Sequence, residues 1–168
     1  MKTLFLITCI VIAVVSASAQ TSQTERDFES KKAKFTMEHF AEGEDASSGY
    51  DYLFYKSGDK IVKIRSIWSA SHSKELRIVD FYFDGADLLL FRNYTASDRL
   101  LNSLKKGRNG TLIPKDEFHF SSGRLTKWIS GGKAKAPGDA AWEEAEKEAL
   151  DQAKSQREYY GWLKEGKS

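Results

Sequence analysis

One short pattern recurs in this chain and restricts its fold more than any other feature. Phe81-Tyr82-Phe83-Asp84-Gly85-Ala86-Asp87-Leu88 matches Phe118-His119-Phe120-Ser121-Ser122-Gly123-Arg124-Leu125 without gaps, and an aromatic residue, Phe91 or Trp128, stands three places beyond each leucine. A looser version runs from Phe54-Tyr55 through Gly58 to Ile61, read with one extra residue in the turn. Side chains alternate across a strand, so Phe81 and Phe83, like Phe118 and Phe120, share one face while Tyr82 and His119 share the other. The glycine in each turn admits the positive φ that a tight reversal demands. Strands joined this way pair antiparallel, and the unequal spacing of Gly58, Gly85 and Gly123 excludes a fixed-period solenoid or propeller.

The flanking segments extend the same sheet. Lys34 to Phe40 predicts a first strand, Tyr50 to Tyr55 a second, and Ile61 to Trp68 a third, with Val62, Ile64 and Trp68 on one face and Lys63 and Arg65 on the other. Leu76 to Phe83 and Leu88 to Phe91 flank the Asp84-Gly85 turn, a strong hairpin signal, and the second of them is apolar on both faces, as a central strand would be. Leu100, Leu101 and Leu104 change the period and predict a short helix within Thr95 to Lys106, capped by Ser97 or Thr95. Glu117 to Phe120 and Leu125 to Ile129 form the last hairpin, and Gly131 to Gly138 reads as a linker. From Asp139 to Glu165, Trp142, Ala145, Ala149, Ala153, Tyr160 and Leu163 fall on one stripe of a long helix. Its alanines allow close approach to a sheet. The expected fold is α+β: a twisted antiparallel sheet of about six or seven strands built from hairpins, one short internal helix, and a long C-terminal helix packed on the sheet.

At its hairpins the chain resembles exported bacterial proteins of uncharacterised function whose strands read Tyr-Tyr-Phe, two residues, Gly-Lys-Leu and then an aromatic. It is also distantly similar to the variant hairpin repeats called MORN repeats. Phe81 and Phe118 stand where that pattern has its leading Tyr, His119 replaces the next, and Gly85-Ala86-Asp87 shifts the turn glycine. The resemblance implies a fold style and an envelope location, with no activity to carry over.

Residues 1–19 predict export independently. Lys2, the apolar run Leu4 to Val15 and the small residues Ala17-Ser18-Ala19 form the three parts of a secretory signal peptide, cut before Gln20. The run is shorter than the roughly 20 residues that cross a bilayer as a helix, so no stable membrane anchor is expected after cleavage. Cys9, the single cysteine, falls inside this segment. The mature domain would therefore stand on packing without disulfides, which favours a bacterial periplasm or cell surface. Residues 20–33 read as a flexible leader or marginal helix, and 34–165 as one domain.

Charge removes several partners. The chain carries 26 Lys and Arg against 24 Asp and Glu, interspersed, so it lacks the basic face that nucleic-acid binding needs. Catalytic signatures are absent as well. His39, His72 and His119 are far apart in sequence, no Ser lies in a Gly-x-Ser-x-Gly elbow, and no His or Cys spacing suits a metal. Glu42, Glu44 and Asp45 lack the spacing of a calcium loop. Asp80 with Asp84, and Asp116 with Glu117, read as solvated strand ends rather than as a glycosidase pair.

The expectation is a non-enzymatic exported protein, without cofactor or metal, that binds another envelope protein or an extracellular ligand through a rigid aromatic-bearing sheet face. Tyr82 and His119 are the first candidate contacts, with Arg92, Lys127 and Trp128 beside them, and Tyr159, Tyr160 and Trp162 form either a partner surface or a clamp for the helix. The competing readings are an inhibitor of a foreign periplasmic enzyme acting through the acidic loop 42–49, and a hydrolase whose site assembles only in three dimensions.

Overall fold

The three matched segments are two-residue hairpins. Gly58-Asp59, Gly85-Ala86 and Ser122-Gly123 form the turns, closed by the pairs Ser57 with Lys60, Asp84 with Asp87, and Ser121 with Arg124. Positive φ falls at Gly58 (61°), at Gly85 (58°), and at both Ser122 (50°) and Gly123 (73°). These are the primed turns whose twist suits the paired strands. The first hairpin thus has no extra turn residue, and Phe54 to Ile61 matches Phe81 to Leu88 position for position.

The irregularity lies just past the turn. The register skips one residue of each returning strand, namely Val62, Leu89 and Thr126. Such a bulge adds a residue without a partner and shifts the alternation by one. Leu88 and Phe91, three apart, therefore reach the same face, as do Ile61 with Ile64 and Leu125 with Trp128. It also carries Val62 to the face opposite Ile64, contrary to simple alternation.

The computed structural model describes residues 22–43, 48–70, 72–108, 112–138 and 140–166. The signal-peptide reading lies outside these residues, as do positions 44–47 of the acidic loop. Eight strands follow in chain order, each antiparallel to its neighbour: β1 (Thr36–Glu42), β2 (Ser48–Ser57), β3 (Lys60–Ala70), β4 (Glu75–Asp84), β5 (Asp87–Ser97), β6 (Pro114–Ser121), β7 (Arg124–Ser130) and β8 (Lys133–Ala134). The fold is α+β as the sequence predicts. The additional strand, β8, is two residues inside the glycine-rich stretch expected to be a linker.

Two helical layers cover the two faces. Three α-helices are described: α1 (Gln23–Lys31), α2 (Leu101–Lys105) and α3 (Ala140–Lys164). β5 continues past Phe91 to Ser97, which leaves α2 only five residues, preceded by a tight turn that Ser97 caps through the Arg99 amide. On one face, α3 lays Trp142, Ala149, Ala153 and Leu163 over a single cross-strand row: Phe54, Ile64, Phe81, Phe91, Phe118 and Trp128. Ring centroids along that row are 5.0 Å apart for Phe81 and Phe91, 5.1 Å for Phe91 and Phe118, and 5.4 Å for Phe118 and Trp128. Tyr160 clamps the far end of α3 onto Phe54 at 4.6 Å.

The opposite face is closed by α1 and α2. Within the segment expected as a flexible leader or marginal helix, Gln23–Lys31 form a capped helix: the Ser22 hydroxyl accepts from the Glu25 amide, and Phe28 is buried against Phe35, Tyr55 and Tyr82. One aromatic residue in a polar segment is enough to dock the helix because the sheet offers it an aromatic socket.

Deletion of Leu89 tests the bulge. Because Leu89 has no partner, its removal leaves Phe83 opposite Leu88 and Tyr82 opposite Leu90, and plain alternation then keeps Leu88 and Phe91 on one face. Cooperative urea unfolding should therefore survive, at a cost of about 1–2 kcal/mol, and its loss would contradict the assignment of Leu89 as the unpaired residue.

Candidate functional site

The α1-covered face brings together more charge than a sheet core normally holds. Six cross-strand neighbours form one row: Leu53, Arg65, Asp80, Arg92, Glu117 and Ile129. Arg65 holds Asp80 with both Nε at 2.6 Å and a terminal nitrogen at 2.5 Å, and Lys63 reaches the same carboxylate at 2.9 Å. Arg92 Nε donates to Glu117 at 2.6 Å, while its terminal nitrogens contact Glu117 and Glu25 of α1. Lys63 Nζ also donates to the Tyr82 hydroxyl at 2.7 Å.

Burial sets the electrostatics of this network. It acts first on Lys63, with Arg65 adding to it against the pull of Asp80, and pushes the ammonium down to about 8. Burial also pulls Asp80 upward, but Arg65 and Lys63 outweigh it and hold the carboxyl well below the usual range. Tyr82 and Tyr94 are raised, by burial first and by the Asp80 charge second. Opposed by burial, His119 and Arg92 together lower Glu117.

Here the structure corrects several candidate contacts. Tyr82 and His119 do lie opposite the phenylalanines, in one row with Leu90 between them and Lys127 beyond. That face is covered, however. Tyr82 is 1% exposed and Arg92 4%, both sealed beneath α1 through Phe28 and Glu25. Tyr94, in the same layer, is buried too. His119 is partly exposed, with Nε2 2.5 Å from Glu117 Oε1, and Lys127 is exposed. Trp128 is on the other face, half-buried against Phe118 and Trp142.

The hydrolase reading calls for a histidine beside a carboxylate, and two such pairs exist. His39 Nε2 lies 2.7 Å from Asp51, and His119 pairs with Glu117. Both carboxylates are already shared with a cation, Lys105 at 2.9 Å on Asp51 and Arg92 on Glu117. Neither pair borders the cleft described next. Among the described residues, no group of three or more His, Cys, Asp or Glu is placed to hold a metal ion.

The accessible site is on the α3-bearing face, past the end of the helix's cover. Two rows of that face continue beyond the phenylalanines: Tyr52, Ser66, Val79, Asn93 and Asp116, then Tyr50, Trp68, Arg77 and Thr95. α3 reaches the nearer row through Gln156 on Ser66 and Tyr159 on Tyr52. Beyond it a cleft of about 630 Å³ opens, lined by Trp68, Arg77, Asn93, Thr95, Lys115 and Asp116, with Glu75 at its rim. The Arg77 guanidinium stands 5.2 Å from the Trp68 ring.

This polar lining differs from the buried one. Among the described residues, the side chains of Asn93, Thr95, Lys115 and Asp116 make no hydrogen bond or ion pair with one another or with the rest of the chain. An aromatic edge flanks the cleft. Tyr50, 44% exposed, stacks on Tyr52 at 6.0 Å, Tyr52 meets Tyr159 at 5.1 Å, and Tyr159 stacks on Trp162 at 5.4 Å. Of the C-terminal aromatics, Tyr160 clamps the helix on the sheet, while Trp162 is 39% exposed. Sequence reasoning missed Trp68, Arg77, Asn93 and Asp116, although the alternation that put Trp68 on the Ile64 face was their available signal.

Compared with protein families, curated proteins and solved structures, the chain shows no significant similarity to any of them. The chemistry of the cleft is therefore what bears on function.

Two changes test the buried network. Asp80→Asn leaves Arg65 and Lys63 facing each other without a counter-charge and should cost about 3–5 kcal/mol in chemical unfolding. The second is a pH profile. An unfolded lysine titrates near 10.5 and folded Lys63 near 8, so between those values the unfolded chain holds the proton that the folded chain has lost. Stability owed to Lys63 therefore rises with pH across that window. Relative to Lys63→Met, the wild-type protein should gain up to about 3 kcal/mol there, and a pH-independent difference would contradict the assignment.

Proposed function

We propose that this is an exported, non-enzymatic binding protein that holds an extracellular ligand or another envelope protein on the uncovered end of its α3-bearing sheet face. One observation carries the reading: in the cleft at Trp68 the side chains of Asn93, Thr95, Lys115 and Asp116 have no hydrogen-bond or ion-pair partner among the described residues, beside exposed aromatic rings at Tyr50 and Trp162. In the covered row of the opposite face, by contrast, Arg65 with Asp80 and Arg92 with Glu117 satisfy one another. Exposed aromatics next to unengaged donors and acceptors are what an interaction site requires, since the rings supply contact area at low entropic cost and the polar groups supply orientation. The surface is also rigid, because β3, β4 and β5 each have a strand paired on both sides. The resemblance to exported hairpin proteins belongs to the same proposal, and it agrees with binding outside the cell.

A photo-crosslinking side chain reports on this directly. Placed at Thr95 in protein expressed from the full-length gene, p-benzoylphenylalanine should give a defined adduct, whereas the same probe at Lys147, on the outer side of α3, should give none. Equal labelling from both positions, or none from Thr95, would contradict the proposed surface.

A further inference from the structure

Resting on that reading, we infer that the Trp68 cleft takes an oligosaccharide, with the sugar ring against the aromatic edge and its hydroxyls on the polar wall. The charge count comes first. Arg77, Lys115, Glu75 and Asp116 all line the cleft, two of each sign. A strongly anionic ligand would meet the two carboxylates, and a cationic one the two bases. The lining suits a ligand without net charge.

Its hydrogen-bonding character is equally mixed. Arg77 and Lys115 only donate, Glu75 and Asp116 only accept, and Asn93 and Thr95 do both. A sugar hydroxyl both donates and accepts, so neighbouring hydroxyls can satisfy a guanidinium or amide on one side and a carboxylate on the other. Few other neutral molecules carry that many two-way groups. Asn93, Thr95, Lys115 and Asp116 are unengaged, and a ligand that left them unpaired on closing the cleft would lose affinity for each one.

Shape narrows the choice further. The volume, about 630 Å³, is in the ordinary range of roughly 300–1,000 Å³ for small-ligand sites. A peptide bound by strand addition needs a free sheet edge; β4 is paired on both sides here, and the part of β5 at the cleft without a partner on the β6 side, Thr95 to Ser97, is only three residues long. A helix would need a deep apolar groove, and here the aliphatic lining is limited to Ile78 and Val79. Aromatic faces at Trp68 and Tyr50 complement the C–H faces of a pyranose ring, and the line through Tyr52, Tyr159 and Trp162 extends the platform for further residues of a chain.

The test is an array of neutral plant, animal and bacterial cell-wall glycans probed with the mature protein, followed by titration of the best binder against intrinsic tryptophan fluorescence. At least one glycan should bind saturably, and Trp68→Ala should weaken it by about tenfold or more. Trp68 is half-buried, so the near-isosteric Asp116→Asn is a second variant, expected to weaken binding by about fivefold while leaving the unfolding midpoint unchanged. Lys147→Ala should change nothing. Saturable binding to no neutral glycan, or binding indifferent to both cleft variants, overturns the inference. If the array is empty while Thr95 still cross-links to a protein, the sugar assignment fails and the binding surface stands; if Thr95 labels nothing either, both fail.

Discussion

The alternation Arg65, Asp80, Arg92, Glu117 across four adjacent strands is the interaction on which the rest of the molecule depends. Its logic follows from the repeat. Each hairpin has a position just before its first phenylalanine and a position four past the aliphatic residue that follows its turn. In the middle of the array these hold an acid and an arginine, and the arginine of one hairpin bonds the acid of the next: Arg65 to Asp80, Arg92 to Glu117. At the two ends, where no neighbouring hairpin exists, the same positions hold Leu53 and Ile129. Charge is thus placed only where a partner exists to neutralise it. Burying it costs desolvation, and what it contributes is register. A hairpin slipped by one residue would put an unpaired arginine and carboxylate in a nonpolar interior.

That arrangement explains which parts of the fold could be read from the sequence. The turns, the alternation of phenylalanines, and the α3 stripe of Trp142, Ala149, Ala153 and Leu163 are local patterns, and local patterns are legible. The bulges at Val62, Leu89 and Thr126 left only an indirect trace, the aromatic three residues past each leucine, whose meaning appears once the strand register is known. The burial of Tyr82, Tyr94 and Arg92 was not legible, because it depends on α1. That helix looks too polar to dock, and docks through Phe28 and Glu25 into a socket assembled from β2 to β5. Residues near one another in space but distant in sequence left no local sign that Arg92 would be sealed rather than exposed.

Tyr82 and Arg92, two of the candidate contacts, are sealed for a related reason. A face turned away from the phenylalanines is open only where the sheet has a single core. Here both faces are core near their centres, one under α3 and one under α1. Accessibility is decided along the strands instead of across them: the same β4 that buries Phe81 and Tyr82 exposes Arg77 at its beginning. A polar residue's meaning then depends on its row. Asp80, in the covered row, has four side chains donating to it, Arg65, Lys63, Tyr82 and Tyr94; Asp116, in the open row of the other face, has none among the described residues.

The limited reach of α3 is what creates this difference. A helix packed over a twisted sheet stays in contact only along part of each strand, since successive strands rotate away beneath it. α3 follows the phenylalanine row, and its last contacts toward the cleft are the short polar bond from Gln156 to Ser66 and the ring of Tyr159 on Tyr52. Past them lie the β3 and β4 ends that carry Trp68 and Arg77, still held in register by their hydrogen-bonded neighbours but without a layer above. A residue as large as Trp68 at such a position exposes apolar surface that a smaller or polar side chain would not. Its ring is kept in place by the Arg77 guanidinium instead of by core packing. The sheet core supplies rigidity, the charged row fixes the register, and together they present an ordered aromatic surface that the fold itself does not use.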